Sequence, residues 1–213
     1  MANDTYASFA ELAREKEADV DYVITEHDRG TRVLVMAPHG GLIEPYTSEI
    51  AESIADADFS FYSFAGIQRQ RNHEELHISS HRFDEPRAIA RAAAADLVFA
   101  VHGYRATRTE FVMPGGRHDA TRDRMSAELR ERGFRIEPAQ AHLRGEHRSN
   151  ICNRGALGAG VQLEISRALR TRLKRDRALR TSFVEGVRAA LLEFEAKNGT
   201  WQDGSWVGLP PDF

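Results

Sequence analysis

The sequence predicts an α/β protein, a three-layer α/β/α sandwich on a mixed, mostly parallel sheet, and three observations carry that prediction. Apolar runs at Val33-Leu34-Val35-Met36-Ala37, Leu97-Val98-Phe99-Ala100-Val101 and Val161-Gln162-Leu163-Glu164-Ile165 are short and nearly continuous, as strands covered on both faces are. Helical stretches alternate with them, which argues for crossover connections between parallel strands. With 213 residues, 41% hydrophobic and 29% charged, the chain suits one domain over 1–213, its core lying within about 20–197.

In order, residues 6–16 read as a short polar helix. Tyr22-Val23-Ile24-Thr25, a turn at Asp28-Arg29-Gly30 and a strand over 32–37 read as a hairpin feeding the core. A helix over 46–57 follows, with Thr47 or Ser48 as its cap. Residues 59–64 and 75–79 alternate like strands, and 85–95 read as a helix begun by Asp84 and Pro86. Strand 97–102, a strand-like 109–113, helix 117–132 and a short strand 134–136 come next. Residues 138–160 are irregular and rich in Gly, Arg and Asn, a length that suggests a functional loop over the site. Strand 161–165 leads into a long Arg-rich helical region ending near Lys197, and the tail rich in Gly, Trp and Pro is expected to be irregular.

Composition excludes several classes. A net charge of -3 gives no global polycation, so nucleic acid is not an expected partner and any polyanion must meet a local patch. The single Cys152 permits neither an internal disulfide nor a cysteine-based zinc site, so a metal would have to use His and carboxylate. The stretch Met1 to Glu17 has no apolar run, predicting neither signal peptide nor membrane anchor; the expected compartment is the cytoplasm, with release by lysis leaving no mark in sequence.

Chemistry concentrates at strand ends. The first apolar run closes in Pro38-His39-Gly40-Gly41-Leu42-Ile43-Glu44, the second in His102-Gly103, and the third carries Glu164 inside it. A catalytic zinc takes three protein ligands and keeps an open position. His39, Glu44 and His102 supply such a set, and Glu164 would take a proton from the attacking water and pass it to the leaving amine. The plain alternative for either His-Gly is a hydrogen-bonded loop residue. An in-strand Glu164 must be paired, protonated, exposed at the rim or functional.

Together, His39-Gly40-Gly41-Leu42-Ile43-Glu44, Leu76-His77-Ile78-Ser79-Ser80, Phe83-Asp84-Glu85-Pro86, Val101-His102-Gly103-Tyr104 and Gly160-Val161-Gln162-Leu163-Glu164-Ile165-Ser166 resemble the poly-γ-glutamate hydrolase family. That family includes phage-encoded depolymerases and is similar in fold to zinc carboxypeptidases. The resemblance implies one zinc ion on His39, Glu44 and His102, Glu164 as general base, and Asn153-Arg154 gripping a substrate carboxylate. Tyr104 and Arg148 join these as substrate-binding candidates. Four residues separate His39 from Glu44, where the carboxypeptidase pattern has two, a departure that bears on exopeptidase action. Arg105, Arg117, Arg144, Arg148 and Arg154 flank these motifs, and arginine's planar fork suits the free carboxylates of a γ-linked chain; solvated loop arginines are the plain alternative.

Two further patterns compete. His73-Glu74-Glu75-Leu76-His77 matches the His-Glu-x-x-His pattern, which works only on a helix; the Ile78-Ser79-Ser80 and Pro86 that follow favour strand then cap, leaving His73, His77 and His81 without a role beyond lining the cleft. The run 167–180 holds six arginines and Lys174, read as a solvated face. The expected function is a zinc-dependent amidohydrolase acting on an anionic γ-glutamyl polymer or a related small amide. The alternatives are a non-catalytic phage-related replication or polyanion-binding protein, and a small-substrate aminoacyl deacylase. Oligomeric state is not legible.

Overall fold

The computed structural model describes residues 4–197 and, beyond them, the backbone of 199–202 and 205–208. Six strands form one sheet: β1 (Tyr22–His27), β2 (Val33–Gly41), β3 (Ser60–Gly66), β4 (Leu97–Tyr104), β5 (Val112–Gly116) and β6 (Val161–Ser166), in spatial order β1-β3-β2-β4-β6-β5. The four central strands are parallel and both edge strands antiparallel. β1 therefore pairs with β3 rather than forming the expected hairpin with β2, because the buried β2 takes a central place between β3 and β4.

Strand alternation builds two cores. Val33, Val35, Phe99, Val101, Leu163 and Ile165 face one side, covered by α2 (Thr47–Ala55), α5 (Asp119–Glu131), α6 (Arg167–Arg175) and α7 (Arg177–Lys197). Leu34, Met36, Tyr62, Phe64, Val98 and Ala100 face the other, covered by α1 (Phe9–Glu15), α3 (Asn72–Leu76) and α4 (Pro86–Ala94). This is the predicted three-layer arrangement.

Local differences from expectation have local causes. Residues 72–76 form a short helix and not a strand, ended at His77 by the extended Ile78-Ser79 stretch. Tyr46, in the left-handed region at φ 76°, caps α2 in place of Thr47 or Ser48, whose hydroxyls serve the neighbouring loop instead. Glu85 caps α4 by accepting from the Ala88 amide, while Asp84 accepts from Phe9. β5 lies later than 109–113, and the expected strand 134–136 is reduced to one bridge between Val112 and Ile136. The Arg-rich helix is two helices, divided at Asp176, whose carboxylate accepts from the Leu179 amide. The tail expected to be irregular pairs Gly199–Gln202 with Ser205–Gly208 as antiparallel strands, β7 and β8; the Asp-Gly pair between them in sequence is a strong hairpin signal.

Candidate active site

The sheet grows leftward from β2 to β3 and rightward from β4 to β6, so β2 and β4 flank its switch point, where open α/β sheets bind ligands beyond the strands' carboxyl ends. Pairing between β2 and β4 stops at Met36 and Ala100, and the β2–β3 register shifts between Ala37 and Gly40. Pro38 has no amide to give the ladder, so the chain leaves it there and delivers His39 into the crevice. The next residues must lie flat: a Cβ on Gly40 would meet Ser48 Oγ at 2.1 Å.

The loop from His39 to Glu44 is closed on itself. The Glu44 amide donates to the His39 carbonyl at 3.0 Å, and the Thr47 hydroxyl donates to the His39 and Glu44 carbonyls at 3.1 and 2.8 Å. The four-residue spacing thus brings the Glu44 carboxylate back beside the imidazole. On β4, His102 stands level with Glu164 of β6 in the parallel register. All four side chains are buried, none more than 8% exposed.

Donor atoms of three side chains converge. His39 Nδ1 lies 3.2 Å from His102 Nδ1 and 3.4 Å from Glu44 Oε1, and His102 Nδ1 lies 3.7 Å from Glu44 Oε2. Ligands bonded to tetrahedral zinc at about 2.0–2.2 Å stand about 3.3–3.6 Å apart, a spacing these separations approach. The outer atoms are tied as ligands require: His39 Nε2 donates to the Ile78 carbonyl at 2.8 Å, leaving Nδ1 with its lone pair, His102 Nε2 meets Ser80 Oγ at 3.3 Å, and Glu44 Oε2 accepts from the Gly103 amide at 2.7 Å.

The electrostatics follow from burial and crowding. Burial lowers the His39 pKa to about 4, keeping the ring neutral. Burial would raise Glu44, but His39 and His102 outweigh it and hold the carboxyl well below its usual range. Burial would lower His102, yet its hydrogen bond to Glu44 and the charges of Glu164 and Glu44 raise it. Burial pushes Glu164 up to about 7, against the pull of His102. Its carboxylate accepts no hydrogen bond from the described residues, leaving it free to take a proton.

Two contributions escaped the sequence reading. His77, capping α3, lies against His39 with ring centroids 4.2 Å apart and planes tilted by 35°, and one donor atom each from His39, Glu44 and His77 lie within 4.8 Å of one another. Its Nδ1 donates to Asp4 Oδ1 at 2.8 Å, while Asp4 Oδ2 accepts from the Ser79 amide and hydroxyl at 2.9 and 2.6 Å. Asp4 thus fixes the imidazole with Nε2 toward the site. The His-Glu-x-x-His pattern supplied the right histidine for another reason: His73 and Glu74 are exposed at the rim. The second is Arg170, buried at 3% exposure among the expected solvated arginines. Its guanidinium donates to the carbonyls of Ile165, Pro45 and Tyr104, one or two residues beyond Glu164, Glu44 and His102. A Cβ on Gly103 would meet that guanidinium at 2.5 Å, which is why β4 carries glycine there.

The site opens into a cleft of about 840 Å³ whose rim carries Tyr104, Arg105, His81, His142 and His147. Tyr104 is half-buried, its hydroxyl accepting from Gln140 at 3.3 Å. Asn153, Arg154 and Arg148 do not line this cleft. Asn153 is 3% exposed and wholly engaged: its amide nitrogen donates to the Gly145 and His147 carbonyls at 2.6 and 3.0 Å, and its oxygen accepts from the Gly160 amide at 3.0 Å. It pins the loop and has nothing left for a substrate, while Arg154 and Arg148 face solvent. Cys152 is buried in the same loop with its thiol pushed up by burial, so it stays protonated.

The structure of N-formylglutamate amidohydrolase from Ralstonia eutropha superposes with a TM-score of 0.54 at 11% identity, over 84% of this chain and 99% of that one, a likeness of fold alone. The family is defined more closely: a profile of poly-gamma-glutamate hydrolase matches residues 6–188, and the chain belongs to that family. A bacteriophage poly-gamma-glutamate hydrolase superposes with a TM-score of 0.86 at 28% identity, over 92% of this chain and 100% of that one. The zinc-free form of a protein named YNDL gives 0.82 at 30% identity, over 90% and 99%. Among Bacillus subtilis (strain 168) proteins, the SPbeta prophage-derived UPF0714 protein YoqZ is 38% identical over 168 residues, 78% of this chain. UPF0714 protein YmaC is 39% identical over 171 residues, also 78%. The matched stretch spans 60% of YoqZ and 71% of YmaC.

Proposed function

We propose that this protein hydrolyses γ-glutamyl amide bonds of poly-γ-glutamate, with His39, Glu44 and His102 holding one zinc ion and Glu164 as general base. The observation that carries the reading is the convergence of two imidazoles and a carboxylate beside a buried carboxylate that accepts no hydrogen bond, level with His102 in the register. Family membership supports the substrate, and the zinc-free form of YNDL supports the metal.

When bound, zinc would supply Lewis-acid polarisation of the scissile carbonyl. Glu164, with a pKa near neutrality, accepts a proton from the water that attacks that carbonyl. As the C–N bond breaks, the same carboxyl returns the proton to the leaving amine, so the enzyme ends unchanged. His39 stays neutral and offers a lone pair throughout. His77, oriented by Asp4, presents a donor atom within 4.8 Å of those of His39 and Glu44. Tyr104 and Arg105 at the rim meet the polymer's amides and free carboxylates, the role expected earlier of Asn153 and Arg154.

The test is chain-length loss of poly-γ-glutamate by the purified protein, with chelator and with zinc restored. Chelator-sensitive shortening supports the reading. Intact polymer with one bound zinc per chain would move the substrate to a smaller amide, and intact polymer without metal binding would favour a non-catalytic polyanion-binding role.

A further inference from the structure

A second depression lies a short stretch of chain away from the cleft. Tyr104 and Arg105 line the cleft, and within three residues Arg108 lines an open groove of about 410 Å³ on α6. The connecting loop is seated on that helix: the Ala168 amide donates to the Ala106 carbonyl at 3.0 Å. Three residues of chain span at most about 10–11 Å, so the groove begins within a few polymer units of the rim.

Its chemistry is that of a carboxylate track. Arg167, Thr171 and Arg175 fall four residues apart on one face of α6, with Arg172 alongside and Arg108 opposite. Arg172 pairs with Glu110 at 2.8 Å. Arg108, Arg167 and Arg175 are exposed and have no acidic partner among the described residues. In a chain of net charge -3, three uncompensated guanidinium groups in one groove form the kind of local patch a polyanion needs.

We infer that this groove is a distal binding site for the substrate polymer, its guanidinium forks pairing with free carboxylates of γ-glutamyl units beyond the scissile bond. The inference rests on the reading of the cleft as a γ-glutamyl hydrolase site. It makes the protein favour long chains over short ones, because only a long chain spans both the cleft and the groove. An extended polycarboxylate is the occupant favoured over nucleic acid, since the described wall of the groove carries arginines and threonines but no aromatic ring on which a base could stack.

The experiment compares the parent zinc-loaded protein with a triple variant, Arg108→Gln, Arg167→Gln and Arg175→Gln, and with a control triple, Arg14→Gln, Arg69→Gln and Arg130→Gln. Expected for the groove variant is a KM for long poly-γ-glutamate raised roughly tenfold at low salt, from three partly exposed ion pairs. Its kcat, its parameters on a γ-glutamyl tetramer and its metal content should be unchanged, and its salt dependence shallower. The control triple should match the parent. Equal changes on tetramer and polymer, no change on either, or the same change in the control would overturn the inference. Should the parent leave the polymer intact, the functional reading fails, and binding to Glu164→Gln decides the groove separately. Polymer affinity lost with the three arginines keeps the site; affinity independent of them, or preference for single-stranded DNA, removes it.

Discussion

Glu164 and Asn153 are polar side chains buried to 7% and 3% exposure, one inside β6 and the other in the loop before it. Asn153 satisfies its amide on three backbone groups of its own loop, whereas Glu164 accepts nothing from the described residues and is lifted to about 7 by burial. An asparagine that spends every hydrogen bond at home holds structure. A largely buried carboxylate without a protein partner costs stability and is free for chemistry. Both were candidate site residues in the sequence; what separates them is where their hydrogen bonds go.

The largest effect expected on that contrast comes from Glu164→Gln. Turnover should fall by about 10²–10⁴-fold, with metal content retained and thermal stability equal or higher, since a buried carboxyl becomes a neutral amide. Loss of metal, or near-parental turnover, would place Glu164 with Asn153. Next comes Arg170→Met, which frees the carbonyls of Pro45, Tyr104 and Ile165 together. Stability should drop by about 3 kcal/mol in urea unfolding, and zinc affinity should weaken with it, Arg170→Lys restoring part of both. Asn153→Ala should cost about 1–3 kcal/mol from orphaned backbone groups, with KM unchanged at temperatures where the variant is folded. A raised KM without lost stability would return Asn153 to substrate binding.

The smallest effect concerns the segment before α1. Hydrogen bonds from His77 and Ser79 outweigh burial and depress the Asp4 carboxyl. Its contribution to stability is therefore complete above its unfolded value of about 4 and is lost as pH falls through its lower folded value. The Tm gap between parent and Asp4→Asn should be constant near neutrality and close only at strongly acidic pH. A gap that changes between pH 6 and 8 would contradict the assignment of this contribution to the Asp4 carboxyl and its hydrogen bonds.

The sequence made the central strands legible because they are buried on both faces, and with them His39, Glu44, His102 and Glu164, which the register brings together. What it hid was non-local. The pairing of β1 with β3 depends on which strand takes the sheet's centre, and a five-residue helix at 72–76 is too short to show a period. Arg170 sits one position from Leu169 in a run of arginines, and nothing in the run distinguishes the buried one. Asp4 reaches His77 across 73 residues, a contact no local pattern encodes. Asn153-Arg154 carried a family motif onto a loop whose side chains close it upon itself.

The central claim is that His39, Glu44 and His102 form one metal centre serving Glu164. Its most direct test is to strip the protein with chelator and titrate zinc back while following poly-γ-glutamate chain length. The account predicts no shortening without metal, full recovery at one zinc per chain, and no recovery in His102→Ala. Undiminished cleavage by the stripped protein, or equal recovery in His102→Ala, would contradict it.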